Sequence, residues 1–136
     1  MLSNITVDWI RERDVPKIQK LEEKLPNGLS MKVLSKRLRS SYVGLLVRGY
    51  DDQTIGYVLL DLRQGSSIKV KRIVVDEKWR RQGVGKILLD NVLKSNCKYS
   101  MNVPEENLDI QLFLKSFGFK CTAIQGESYI MEKNHD

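Results

Sequence analysis

The chain has 136 residues, 41% of them hydrophobic and 29% charged, and its 23 Lys and Arg outnumber 17 Asp and Glu to give a formal net charge of +6. That length suits a single domain spanning 1–136 with a core of its own, and the apolar and charged fractions argue against a disordered chain. No run approaches the ~18 apolar residues of a transmembrane helix, and the positive balance suits an anionic ligand or an acidic substrate, with nucleic acid the less expected partner.

The first residues, Met1-Leu2-Ser3-Asn4, lack the charged and apolar regions of a signal peptide, so a cytoplasmic protein is expected. Cys97 and Cys121 are too far apart for a close-spaced metal motif, and the single histidine, His135, lies in the terminal tail. Reduced thiols packed near strands are expected, with no metal.

Ile5 to Ile10 has the β-branched and aromatic bias of a strand. Asp14 then reads as a helix N-cap with Pro16 in the first turn, and Val15, Ile18, Leu21 and Leu25 recur at helical spacing. Pro26-Asn27-Gly28 stops that helix. Ser30 starts a second, with Val33, Leu34 and Leu38 inward and a basic face outward. Val43–Arg48 and Thr54–Leu62 form a hairpin across the turn Tyr50–Gln53. A second turn, Gln64–Ser67, leads into Ile68–Val75, half exposed at its start and, in the unbroken Ile73-Val74-Val75, buried on both faces at its end.

Val74 to Lys86 is the stretch that carries chemistry. A strand end runs into a short basic turn, two glycines one residue apart, and a helix beginning near Gly85. Unpaired N–H groups and the positive dipole end at a helix N-terminus make an anion site, and glycine lets the anion approach. No Gly-Lys-Ser/Thr follows, which excludes a Walker-type loop, and the repeated parallel βαβ series of a dinucleotide fold is missing. After the helix bearing Ile87, Leu88, Leu89 and Val92 come a strand over Cys97–Val103, closed by Pro104, and a helix capped by Asn107. That helix carries Leu108, Ile110, Leu112, Phe113, Leu114 and Phe117 and stops at Gly118. A closing hairpin turns at Gln125-Gly126.

The fold class expected is α/β in the α+β sense: one mixed, mostly antiparallel sheet of about seven strands with about four helices, in the order βααβββαβαββ. The crossover between the fourth and fifth strands forces a parallel pair there and puts the glycine turn at the carboxyl end of the fourth.

Arg80-Arg81-Gln82-Gly83-Val84-Gly85, in this strand–turn–helix setting, resembles the pyrophosphate signature of the GNAT superfamily of acetyl-CoA-dependent N-acetyltransferases: Gln or Arg, two residues, Gly, one residue, Gly or Ala. Asn107 followed by Phe117-Gly118-Phe119 is similar to the family's later helix. The resemblance implies an acyltransferase moving an acetyl group from acetyl-CoA to an amine of a small molecule or protein by direct transfer. The main chain of Ile73, Val74 and Val75 would hold the pantetheine arm where the fourth and fifth strands splay. Arg80, Arg81 and the N–H groups of Gln82, Gly83, Val84, Gly85 and Lys86 would hold the pyrophosphate, and Asn107 would contact the cofactor from the other side. A main-chain N–H near Val75 would polarise the thioester carbonyl.

At the positions where family members that acetylate protein N-termini carry a Glu and a Tyr, this chain has Asn102 and Leu114. The substitutes for the missing acid and base are Asp61, Glu105 or Glu106 as base and Tyr129 or Tyr99 as acid, or a water relay that needs none of them. A catalytically inactive CoA-binding module is the alternative. The acceptor pocket is expected between the loop at Pro26-Asn27-Gly28, the end of the third strand and the closing hairpin, in a monomer or homodimer.

Overall fold

The computed structural model describes residues 5–40, 42–63 and 65–134. Residues 1–4, the turn position Gln64 and His135 therefore lie outside the described residues. Strand β1 (Thr6–Trp9) leads through a 3-10 turn at Glu12–Asp14 to helices α1 (Val15–Glu22) and α2 (Met31–Leu38), followed by β2 (Tyr42–Arg48), β3 (Thr54–Asp61) and β4 (Ser67–Val75). A second 3-10 turn at Glu77–Trp79 precedes α3 (Val84–Val92), β5 (Lys98–Pro104), α4 (Leu108–Ser116), β6 (Lys120–Gln125) and β7 (Ser128–Lys133). The order is the one expected from the sequence.

The strands form one seven-stranded sheet in the order β1-β2-β3-β4-β5-β7-β6. Only β4 and β5 run parallel, because α3 must carry the chain back across the sheet before β5 can begin. Side chains alternate between two layers along each strand. On one face Val15, Ile18 and Leu21 of α1 and Leu34 of α2 pack on Leu46, Tyr57, Leu59 and Val74. On the other, Val84, Leu88, Leu89 and Val92 of α3 and Leu114 of α4 cover Leu45, Val47, Val58, Leu60, Met101 and Val103. No helix among the described residues is long and apolar enough to cross a membrane.

Four expectations are corrected. Asp14 makes no cap bond to α1; its carboxylate accepts from the Arg11 N–H at 2.8 Å and from Arg48 at 2.9 Å, so an ion pair takes the oxygen that would have capped. Val33, at 38% exposed, faces outward beside buried Leu34. On α4, Leu108 and Leu112 are 61% and 56% exposed, leaving Leu114 with half-buried Ile110, Phe113 and Phe117 to meet the core. Finally, Ile73 and Val75 are only half-buried although the apolar run there is unbroken. The reason is that β5 has already left β4.

Candidate functional site

The parting of β4 from β5 is built by a bulge. Against β3, Leu59 faces Arg72 and Leu60 faces Val70, so Lys71 is an extra residue in β4 that bends and twists the strand. The β4–β5 ladder covers Ser67, Ile68 and Lys69 with Lys98, Tyr99 and Ser100 and then stops. Beyond it Val70–Val75 and Met101–Pro104 diverge, leaving one edge of β4 open at its carboxyl end.

Ladder phase decides which groups point into that opening. The Asp76 N–H donates to the Ile55 carbonyl at 2.8 Å, which makes those opposed residues a bonded pair. Pairs alternate in an antiparallel ladder. Tyr57 and Val74 are thus bonded to each other, while Val75, opposite Gly56, and Ile73, opposite Val58, turn their N–H and C=O groups away from β3 and into the gap. Val74 instead gives its main chain to β3 and its side chain to the layer under α1 and α2. Arg80 Nε donates to the Val75 carbonyl at 3.3 Å, tying the basic turn to the open edge.

The turn itself is anchored by buried Asp76, whose Oδ1 accepts from the Lys78 N–H at 3.0 Å while Oδ2 lies 3.3 Å from Lys24 Nζ. Arg81 adopts φ 64 and Gly83 φ 88, two left-handed residues that turn the chain into α3. The first intrahelical bond runs from the Ile87 N–H to the Gly83 carbonyl, so the N–H groups of Val84, Gly85 and Lys86 have no helical partner. The N-termini of α2 and α4 are closed by side chains, Ser30 accepting from the Val33 N–H and Asn107 from the Ile110 N–H, while α1 has no side-chain cap and carries Pro16, which has no N–H, in its first turn. Gly83 offers no such side chain, so the donors of α3 face outward, with exposed Arg80, Arg81 and Lys86 around them. Gly85 serves packing as well, since a Cβ there would stand 3.2 Å from the Phe113 ring of α4.

On the far side of the gap, the Glu105 N–H donates to the Glu127 carbonyl at 2.8 Å and fastens the closing hairpin to the end of β5. The buried Gln111 amide donates to the Pro104 and Glu105 carbonyls, holding the start of α4 in place. Asn107 sits at this corner, exposed, with its oxygen committed to the α4 cap. Glu105 and Glu106 are exposed beside it, and Tyr129, opposite Val103, is half-buried one strand away.

The remaining expected acid–base groups are elsewhere. Asp61 faces Lys69, and Val75, six residues further along β4, faces Gly56. At about 3.3 Å per residue this puts Asp61 roughly 20 Å from Val75 and the glycine turn, at the opposite end of the sheet. Hydrogen bonds from Arg63 hold its carboxyl down at about 2, which also makes it a poor base. Tyr99 is buried, with its hydroxyl 3.0 Å from both the Val92 and Ser95 carbonyls, and burial pushes its pKa up. It closes the end of α3 and does not reach the site. The end of β3 consequently cannot line an acceptor pocket. Its beginning lines a cleft instead: Gln53 and Thr54 join Lys17, Lys20, Glu23 and Asp52 around a space of about 600 Å³, which shares Leu21, Lys24 and Asp76 with a smaller pocket at Leu25, Val74, Val75, Glu77 and Arg80.

One group went unread in the sequence. Glu22 at the end of α1 is fully buried, and its carboxylate accepts from the Tyr57 hydroxyl, from Arg72 Nε and a terminal guanidinium nitrogen at 2.8 and 2.6 Å, and from the Leu29 N–H at 2.9 Å. Burial alone would raise its pKa, but these donors outweigh it and the net shift is downward. Tyr57 moves upward, through burial first and the Glu22 charge second. The network ties the α1–α2 loop to the strand that carries the open edge. Gly28 makes it possible, since a Cβ there would lie 1.9 Å from the Glu22 carbonyl oxygen. The signal was helical spacing: Glu22 falls seven residues after Val15 and four after Ile18, on the buried stripe.

A family model described as an acetyltransferase (GNAT) domain matches residues 12–129. No curated protein sequence matches the chain. Among solved structures, the ribosomal-protein-S18-alanine N-acetyltransferase from Escherichia coli superposes with a TM-score of 0.83 at 17% identity, covering 94% of this chain and 92% of that one. The PaiA N-acetyltransferase from Thermoplasma acidophilum, in complex with coenzyme A, gives 0.83 at 17% identity over 96% and 99% of the two chains. Naa50 of Arabidopsis thaliana, with a bisubstrate analogue CoA-Ac-MVNAL, gives 0.76 at 22% identity over 96% and 99%.

Proposed function

The chain belongs to the GNAT acetyltransferase family, and we propose that within it the protein moves an acetyl group from acetyl-CoA to an amine of a small molecule or protein by direct transfer. The observation that carries this is the conjunction along β4: a ladder that stops at Lys69 and Ser100, followed nine residues after Val75 by a helix whose first N–H groups have no capping side chain. An extended arm with amide groups fits the open edge as a missing strand would, on the main chain of Ile73 and Val75, and a pyrophosphate fits the donors of Gly83 to Lys86 with Arg80 and Arg81 adjacent.

In this reading the Val75 N–H polarises the thioester carbonyl as charge develops on its oxygen. The acceptor nitrogen approaches from the α1 side, past Leu21, Leu25 and Val74. A C–N bond forms as the C–S bond breaks, the amine gives up one proton, and the departing thiolate takes one. Glu105, acting through a water, is the group assigned to the first proton, and the Tyr129 hydroxyl to the second. The protein then works in the cytoplasm as a monomer or homodimer, with no metal. Titration calorimetry with acetyl-CoA tests the reading: absence of heat at a concentration on the order of 100 μM would sink it.

A second reading, a CoA-binding module without turnover, is favoured by exposed Asn102 and fully buried Leu114 at the two positions that would otherwise supply an acid and a base. CoA release with any member of a broad amine panel would eliminate it.

A further inference from the structure

We propose that the end of the sheet opposite the cofactor loop is a docking surface for the phosphate backbone of a nucleic acid. Cations that are scattered through a sequence of net charge +6 are brought together there by the fold. Consecutive partners across six strands run Tyr42, Asp61, Lys69, Ser100, Glu132, Lys120, a transverse row of residues at one end of the sheet. At about 4.8 Å between strands the row is roughly 24 Å long. Arg63, Lys69, Lys71, Lys98, Lys120 and Lys133 lie in it or within two residues of it. The two carboxylates of the row are already engaged, Asp61 by Arg63 and Glu132 by Lys98.

Three helices also end here, and each brings a cation: Arg37 in the last turn of α2, Lys94 just past α3, and Lys115 in the last turn of α4. Helix dipoles account for those three. They do not account for the strand cations, and Lys69, Lys94, Lys115, Lys120 and Lys133 form no ion pair among the described residues. Arg37 and Arg63 flank the Tyr42 ring, 6.0 and 5.1 Å from its centroid, which stiffens two guanidiniums at one end of the row. At the opposite end of the sheet the exposed cations of the cofactor loop, Arg80, Arg81 and Lys86, are interspersed with exposed Glu77, Glu105, Glu106 and Glu127, so a long polyanion meets fewer unopposed charges there than along this row. Along the row Leu62 is the one large exposed apolar side chain among the described residues. Insertion into a membrane would need an apolar face, and selective capture of an acidic peptide a pocket for side chains; anionic lipid held by charge alone is distinguished by the vesicle arm of the test. A backbone of evenly spaced phosphates needs neither.

The proposal does not rest on the acyltransferase reading. The test is fluorescence anisotropy with a labelled 20-base-pair DNA duplex and a labelled single-stranded RNA of equal length, on the wild type and on the combined variant Lys69→Glu, Lys94→Glu, Lys120→Glu. Contact with about four phosphates gives a slope of log K against log salt near −3.6 on the duplex, an affinity loss of about 150-fold between 50 and 200 mM salt. The triple reversal should weaken binding at 50 mM at least thirtyfold while leaving the circular dichroism spectrum and melting transition of the folded protein in place. No duplex or RNA binding at 50 mM overturns the proposal. So does binding that the reversals spare and CoA displaces, since it would lie at the cofactor loop, and so does equal affinity for polyglutamate or for anionic lipid vesicles.

Discussion

Removing the Glu22 carboxylate should cost more than any other single change at the site, because of what it leaves behind. Glu22 is 0% exposed and the Arg72 side chain is 25% exposed. In Glu22→Leu a guanidinium, the Tyr57 hydroxyl and the Leu29 N–H all lose their acceptor in a place water barely reaches. Breaking one side of a buried pair costs about 3–5 kcal/mol, set against a typical domain stability of about 5–15 kcal/mol. For a chain of this length that is a fall in Tm on the order of 10 °C or more. Arg72→Met should cost a comparable amount by stranding the carboxylate. The double variant Glu22→Leu, Arg72→Met should recover most of the loss, since a well-packed apolar pair can replace a buried ionic one at little cost. Urea unfolding of the four proteins at pH 7 measures this as a cycle. The folded-state pKa of Glu22 lies below its unfolded value, so the contribution is full above the ordinary carboxylate pKa and disappears as pH falls through the folded one. Single variants costing less than about 1 kcal/mol, or additive costs in the double variant, would refute the account.

Gly83→Val forces a β-branched residue to φ 88 and should cost about 1–3 kcal/mol of stability; CoA affinity measured by calorimetry should fall at least tenfold, and unchanged affinity would show that the pyrophosphate binds elsewhere. Gly28→Ala should lower Tm markedly by driving the loop off the Glu22 carbonyl, visible by circular dichroism melting. Asp61→Asn should leave acetyl transfer untouched, because the residue stands at the other end of the sheet. Since the Asp61 carboxyl is held down at about 2, wild-type stability should fall between pH 4 and pH 2 by an increment that the Asn variant lacks. Glu105→Gln should lower kcat for the amine that proves to be the acceptor while leaving the Kd of acetyl-CoA unchanged, and an unaltered kcat would remove Glu105 from the proton path.

The order of elements and the anion loop were legible because each rests on a local rule: apolar period, turn residues, and glycines one residue apart before a helix. What was misread depends on parity and on distant partners. Strands β3 and β4 are antiparallel, so the end of one is beside the start of the other, and Asp61 could not share an end with Val75. Asp14 has the residue type of a cap, but Arg48, thirty-four residues away, takes its oxygen. Half-burial of Ile73 and Val75 contradicts their apolar run because the bulge at Lys71, which detaches β5, has no signature in side-chain type. Glu22 was overlooked for the opposite reason: its helical position was readable, and its charge argued against burial until Arg72 and Tyr57 were seen to meet it.

The three-residue ladder between β4 and β5 has a consequence for how the molecule breathes. Leaf β1–β4 and leaf β5–β7 meet along this short seam, and among the described residues the apolar cluster under α1 and α2 includes none from β5–β7; α3 and α4 supply the join on the other face. Amide hydrogens of β5 and β7 can therefore exchange through opening of one leaf while those of β3 exchange only with global unfolding. A ligand that occupies the gap sews the two leaves together. At a hundredfold excess over its Kd it adds about 2.7 kcal/mol against unfolding, and that protection should appear in both leaves at once, although the ligand's hydrogen bonds fall mainly on one.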